Sequence, residues 1–448
     1  MASPAETLAS SINMSAFGKA TELKSRIWFT LMALIVFRLG TYIPVPGIDP
    51  VSLGELFKQH GGGILGMFDM FSGGALKRMT IFALSVMPYI TASIIVQLLS
   101  AIVPSFEAMK KEGEAGRVRL NQYSRYLTVL FAIVQSYGMA VGLENMMSGG
   151  NSPVVAPGPF FRIITVITLT GGTVFLMWLG EQITARGIGN GTSLIIYSGI
   201  VANLPHAMVQ TLEQGRTGAL SPWFILFIVA LIVVVLAVCV YCERAQRRIL
   251  VNYPKRQVGN KIYGGEASHL PLKLNTSGVI PPIFASSLLL FPLTMASFTD
   301  VQQKGGILAD IVTALGHGKP LFMVLYAALI TFFSFFYTAV VFNPVETADN
   351  LKKYGGFVPG IRPGKNTADY FDYVLSRLTV VGAAYLVVIC LLPEILMKQS
   401  AAIPFYLGGT SLLIVVSVTI DTISRVQSHL IAHQYEGLIK KSKLRGGR

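Results

Sequence analysis

The sequence predicts an all-α polytopic membrane protein with ten transmembrane helices, and three observations predict it. The first is composition: of 448 residues, 52% are hydrophobic and 13% charged, with mean hydropathy +0.59, more apolar surface than a soluble fold can hide. The second is a set of ten apolar runs suited to a hydrocarbon core that takes ~20 helical residues to cross. They are 27–42, 80–103, 127–141, 160–179, 187–204, 222–241, 277–298, 321–342, 374–392 and 403–423. The third is charge. An even number of spans puts both termini on one side, and the segments on that side hold 27 of the 36 Lys and Arg residues. By the positive-inside rule that side is the cytoplasm.

Residues 1–26 are polar and lack the short apolar core and cleavage site of a removed signal peptide, so they are expected to stay on the mature protein as a cytoplasmic segment. After the first run comes 61–76, glycine-rich and apolar. At about 15 residues it is too short to cross. It either dips into the bilayer and stops, or lies on the surface as an external loop. The second run carries Pro88, Thr91, Ser93 and Gln97, polar groups that are costly against lipid and tolerable against another helix or a watery cavity. External loops are poor in charge and rich in Gly, Pro and Ser, and read as connectors.

Two cytoplasmic loops differ from the rest. The first, 242–276, carries Arg247, Arg248, Lys255, Arg256 and Lys261; the second, 343–373, carries Lys352, Lys353, Arg362 and Lys365. Each is far longer than the 2–8 residues that commonly join helices, so both are expected to project. Residues 246–253 alternate as a strand does, and Val258-Gly-Asn-Lys261 supplies turn residues, which suggests a hairpin. The charges suit docking of a partner bearing acidic groups or phosphates, although charge that only fixes topology would look similar.

Enzymatic chemistry finds little support. The chain contains no phosphate-binding Gly-x-x-x-x-Gly-Lys-Ser/Thr loop, no His-Glu-x-x-His helix and no Ser-centred elbow. Gly187-Ile-Gly-Asn-Gly191 lies between two runs and reads as a tight turn. His429 and His433 have helical spacing without a third ligand, so no metal is expected. Cys239, Cys242 and Cys390 sit in or beside apolar runs and imply no disulfide framework. Charges within runs are few, namely Arg38 and, near ends, Glu181 and Asp421, whereas ion-coupled pumps place carboxylates at mid-membrane. Pro88 interrupts the second run and Pro281-Pro282 the seventh. Such breaks, one in each half, point to a pathway between halves, or else are two unrelated kinks. A channel is favoured over a secondary transporter of small solutes and over a membrane enzyme.

Long ordered motifs then carry a resemblance. Among them are Ile43-Pro-Val-Pro-Gly-Ile-Asp49, Met70-Phe-Ser-Gly-Gly-Ala-Leu76, Met87-Pro-Tyr-Ile-Thr-Ala-Ser93, Met177-Trp-Leu-Gly-Glu-Gln-Ile-Thr184, Phe342-Asn-Pro-Val-Glu-Thr-Ala-Asp-Asn-Leu351 and Val358-Pro-Gly-Ile-Arg-Pro-Gly364. With them the chain resembles the SecY/Sec61-alpha family, channel-forming subunits of Sec protein translocases, nearly end to end. The resemblance implies two pseudo-symmetric five-helix halves, 27–205 and 222–423, joined by an external hinge loop, 206–221, and closing on an hourglass channel, with 424–448 as a cytoplasmic tail. It implies a re-entrant plug in 61–76, with Ile64, Leu65, Met67, Phe68, Met70 and Phe71. It puts a pore ring at Val86, Ile90, Thr192, Ile196, Ile283 and Ile414, where Thr192 replaces the usual aliphatic residue. It puts a lateral gate between the second and seventh spans, with Thr91, Gln97 and Asn275 able to bond across the seam. The implied partners are the membrane subunits SecE and SecG, the SecA ATPase motor, the ribosome with its RNA phosphates, signal peptides and nascent chains, and membrane lipids. The motor and ribosome use the two basic loops, Arg362 matching the family's critical loop arginine. Asn260 stands where relatives are often basic. No cofactor is implied, and the location is the bacterial inner membrane with both termini cytoplasmic.

Overall fold

The computed structural model describes residues 21–49, 52–54, 69, 71–145, 153–218, 221–253, 256–258, 261–263, 267–297, 319–399 and 409–445. The helices are α1 (Thr21–Gly40), α2 (Met87–Ile102), α3 (Pro104–Lys111), α4 (Glu114–Asn145), α5 (Pro159–Arg186) and α6 (Gly191–Arg216). They continue with α7 (Pro222–Arg244), α8 (Ile280–Ser297), α9 (Pro320–Val341), α10 (Pro344–Lys353), α11 (Lys365–Gln399) and α12 (Gly409–Arg445). Strands β1 (Gln246–Asn252), β2 (Arg256–Val258), β3 (Lys261–Tyr263) and β4 (Ala267–Lys273) lie between α7 and α8. Among the described residues, seven helices are long and apolar enough to cross a membrane, or eight if the pair α2 and α3, bent by 96°, counts as one span.

Proline and short polar side chains set the helix starts. Pro222 opens α7 behind Ser221, whose side chain accepts the Phe224 N–H at 3.3 Å. Asn190 opens α6 by accepting the amides of Thr192 and Ser193 at 3.1 and 3.3 Å. The turn Gly187–Gly191 is therefore an inter-helix connection, and it is tight: a Cβ on Gly191 would collide with the Gly180 carbonyl of α5.

The same rule corrects the sequence reading of the two proline breaks. The run 80–103 is helical only from Met87, and 80–86 is a chain of turns with Ser85 at φ 51. Pro88 lies in the first turn of α2 and Pro281 and Pro282 in that of α8, where a missing N–H costs nothing, so these prolines begin helices instead of kinking them. A second difference is at 206–221. The helix α6 runs through Pro205 to Arg216, because His206–Gln214 contains no further breaker.

Helices α1, α2, α4, α5 and α6 pack through the pairs α2/α4, α4/α5, α5/α6, α1/α5 and α1/α6. Helices α7, α8, α9, α11 and α12 pack through α8/α9, α9/α11, α11/α12, α7/α12 and α7/α11. Contacts between these sets are α2/α8, α4/α8, α6/α12, α1/α12 and α6/α7. One apolar core runs through both sets, from Ala33 to Val418.

A second, small core lies outside it. Ile249 of β1, Leu272 of β4, Ala348 of α10, Val358, and Ala368, Phe371, Val374 and Leu375 of α11 bury one another. Strands β1 and β4 pair antiparallel from Gln246↔Lys273 to Asn252↔Ala267, and β2 pairs with β3 from Arg256↔Tyr263 to Val258↔Lys261, so the expected hairpin is present. Phe371 is fully buried there. Phe371→Ala should destabilise this unit by about 3–5 kcal/mol, the usual cost of such a truncation. Limited proteolysis in detergent would show it as faster cutting within 242–276 and 343–373 with the apolar helices intact, and cutting at the wild-type rate would refute it.

Candidate functional site

A cavity of about 630 Å³ lies where the two helix sets meet. Its walls are Tyr89, Ile90, Ser93 and Gln97 of α2, Asn121 and Arg125 of α4, Glu181 of α5, Thr192, Ser193 and Ile196 of α6, and Ile280, Ile283 and Phe284 of α8, with Tyr337 of α9. On its wall Arg125 and Glu181 form two parallel hydrogen bonds of 2.9 and 2.8 Å between α4 and α5. The wall also carries three buried aliphatic side chains, Ile90, Ile196 and Ile283, from α2, α6 and α8.

Of the six residues expected in a ring, Ile90, Thr192, Ile196 and Ile283 thus line one cavity. Val86 and Ile414 do not line it, but both are buried in the same core as Ile90, Ile196 and Ile283. Thr192 is half-buried in the first turn of α6.

Of the plug residues, Ile64, Leu65, Met67, Phe68 and Met70 lie outside the described residues. Phe71 is buried, 2% exposed. The chain that follows it is pinned on two sides. Gly73 and Gly74 adopt φ +70 and +84, and a Cβ on Gly73 would stand 2.9 Å from the Cα of Gly199 in α6, so backbone lies directly on backbone. On the other side Arg38 of α1 donates to the Gly73 carbonyl at 2.8 Å. The Asp69 carboxylate accepts the Lys77 amide at 2.8 Å and its carbonyl accepts from Gly74, which closes the return of the chain on itself.

Thr91, Gln97 and Asn275 do not bond across the α2/α8 seam. Thr91 donates to the Met87 carbonyl at 3.1 Å and Gln97 to Ser93 Oγ at 3.3 Å, both one turn back along α2. Inside an apolar seam a polar side chain takes the acceptor its own helix already offers. Asn275 donates to Glu243 Oε1 at 2.7 Å. Among the described residues, a polar contact that does cross is Ser287 Oγ of α8 to Met87 Sδ of α2, at 3.9 Å. Sequence reasoning missed Glu243, which sits beside arginines at the start of the first basic loop and carries no signal of its own there.

The two basic loops fold against each other. Arg247 and Arg248 are exposed on β1, and Arg256 and Lys261 fall on β2 and β3, two residues out of direct register. Lys255 and Asn260 lie outside the described residues. Lys352 and Lys353 end α10, Lys365 begins α11, and all three are exposed. Arg362 is exposed in a loop between two left-handed glycines, Gly360 at φ +83 and Gly364 at φ +105. Asn252 of the hairpin and Phe357 of the second loop exchange two backbone hydrogen bonds, 2.9 and 3.0 Å, so the loops fold together.

Comparison with known proteins bears on all of this. A family model described as SecY matches residues 80–423. The protein translocase subunit SecY of Rickettsia conorii is 58% identical over 424 residues, covering 95% of this chain and 97% of its own length. That of Escherichia coli K12 is 54% identical over 432 residues, covering 96% and 97%. Among solved structures, a protein-conducting channel superposes with TM-score 0.66 at 17% identity, over 91% of this chain and 92% of that one. Sec61 from the canine ribosome-channel complex of the endoplasmic reticulum gives 0.64 at 17%, over the same shares. At such identity these two structures speak for the fold.

Proposed function

Because the chain belongs to the SecY family, we propose that it is the channel-forming subunit of a protein translocase, a multi-pass membrane conduit for unfolded polypeptides and not an enzyme. Its ten spans form two five-helix halves around an hourglass pore, a reading supported by the way the two helix sets pack within themselves and meet along α2/α8 and α6/α12. The observation that carries the function is the cavity lined by the buried aliphatic side chains Ile90, Ile196 and Ile283 together with polar groups, contributed by both halves, and on this reading the three isoleucines form its constriction. An aliphatic constriction of this kind excludes ions by dewetting, yet its side chains yield around a peptide without reading its sequence.

On this reading the stretch 61–76 is a plug hinged at the pinned Gly73, and the α2/α8 seam is a lateral gate through which signal peptides and nascent apolar segments reach lipid. Burial of such a segment among acyl chains is favourable by roughly 25 cal/mol per Å². The joined basic loops dock the SecA motor and the ribosome, whose RNA phosphates suit Arg and Lys. The solved Sec61 neighbour is itself part of a ribosome-channel complex. SecE and SecG accompany the chain in the bacterial inner membrane, and both termini are cytoplasmic.

A photoreactive side chain placed at Thr192, on the cavity wall, should cross-link to a precursor arrested during export. The same group at Val324, 67% exposed on α9, should cross-link to lipid instead. Equal precursor labelling from both positions would remove the cavity from the path.

A further inference from the structure

We propose that Glu243 is a positioning residue for the seam between α2 and α8, acting through Asn275. This rests on the lateral-gate reading and adds the residue that sets the gate's resting width. Glu243 lies in the last turn of α7, and Asn275 lies in the short lead into α8. The whole hairpin runs between them, so the two residues stand at its base, where the chain leaves one helix and returns to the other.

That base is closed by two successive contacts. The Leu274 N–H donates to the Ala245 carbonyl at 2.9 Å, and the Asn275 amide donates to Glu243 Oε1 at 2.7 Å, a short, charge-assisted bond. The same amide nitrogen donates to the Gly278 carbonyl at 3.0 Å, and its oxygen accepts from Ser277 Oγ at 3.1 Å. A primary amide has two donor hydrogens, and both are taken. Asn275, 3% exposed, has none left for the opposite side of the seam.

The lead into α8 is held from a second direction by α11. A Cβ on Gly382 would stand 2.9 Å from the Leu274 carbonyl, so the α11 backbone is a fixed wall there. Glu243 is thus the side-chain half of a clamp whose other half is backbone. Removing its carboxylate frees one Asn275 donor and unties α8 from α7 at the point from which α8 enters the seam. The seam contact between Ser287 and Met87 lies two turns further along the same helix.

The test uses a M87C/S287C pair in reconstituted vesicles, treated with a short thiol-to-thiol cross-linker and read by mass spectrometry of the linked peptides. E243A should lower the initial cross-linking rate by about tenfold, as loss of one charge-assisted buried bond from the closed state predicts. It should also raise export of a precursor with a weakened signal segment. E243Q keeps an acceptor oxygen at the same place and should restore both readouts. N275A removes the same bond from the other end and should match E243A, which keeps the test open should E243A insert poorly. Equal cross-linking rates in the wild-type, E243A and N275A backgrounds would overturn the proposal, as would E243Q behaving like E243A. Failure of the gate reading is read separately: fully cross-linked channels that export at the uncross-linked rate would sink the gate and leave the effect of Glu243 on seam width measurable.

Discussion

Vesicles containing the chain with Val86, Ile90, Ile196 and Ile283 all replaced by serine will conduct ions at rest at least about tenfold more than wild type, because a wider, wetter constriction loses its dewetting barrier. Three of these residues line the cavity and the fourth is packed in the same core. The replacements also shorten buried side chains. Each such truncation costs roughly 2–5 kcal/mol where the site cannot collapse, so single substitutions belong beside the quadruple one. Export of a secreted precursor should survive, since the proposed ring would contribute a seal and no sequence-specific contact. Single-channel recording measures the result. An unchanged resting current from a correctly inserted quadruple variant would take the ring out of the mechanism.

The second large effect is expected at Arg362. Topology depends on the sum of Lys and Arg near the spans, whereas docking depends on a particular side chain. Arg362 is exposed, and Gly360 and Gly364 give its loop backbone conformations that other residues rarely adopt. Its carbonyl accepts from Thr367 Oγ1 at 2.9 Å, which ties the loop to the first turn of α11 and presents the guanidinium outward. Arg362→Glu, with a Lys added elsewhere in 343–373 to restore charge, should leave insertion and orientation intact and reduce motor-driven export by at least about tenfold, as loss of one bidentate charge-assisted contact with reversal of sign implies. Reconstituted vesicles with purified motor, ATP and precursor would report it. Export at the wild-type rate would reduce the loop to a topology signal.

Much of this architecture was legible in the sequence because the membrane imposes a simple code. Apolar run length predicts a helix, loop charge predicts a side, and the alternation in 246–253 predicts the strand β1. The aliphatic lining was legible through family resemblance, and the structure brings Ile90, Thr192, Ile196 and Ile283 to one cavity. The rest depended on distance in three dimensions. Proline looks alike whether it breaks a helix or begins one, so Pro88 and Pro281 were misread until the preceding backbone was in view. The Arg125–Glu181 pair joins residues 56 apart, and Glu243–Asn275 joins residues 32 apart across a hairpin. Linear charge reading had no means of pairing either. The union of the two basic loops through Asn252 and Phe357 was equally invisible, since backbone hydrogen bonds carry no side-chain signature.

That union has a mechanical corollary. The small core that joins the loops includes Phe371, Val374 and Leu375, and these belong to α11, which continues without a proline from Lys365 to Pro393. Twenty-nine residues of helix at 1.5 Å each make a strut about 43 Å long, comparable to the full thickness of a bilayer with its headgroups. A torque applied to this small core therefore has a stiff lever to travel along. It acts on α9 and α12, which pack against that lever. A pull on the loops should register as a tilt of the second helix set as one piece, with no loop-by-loop relay between the two faces of the membrane.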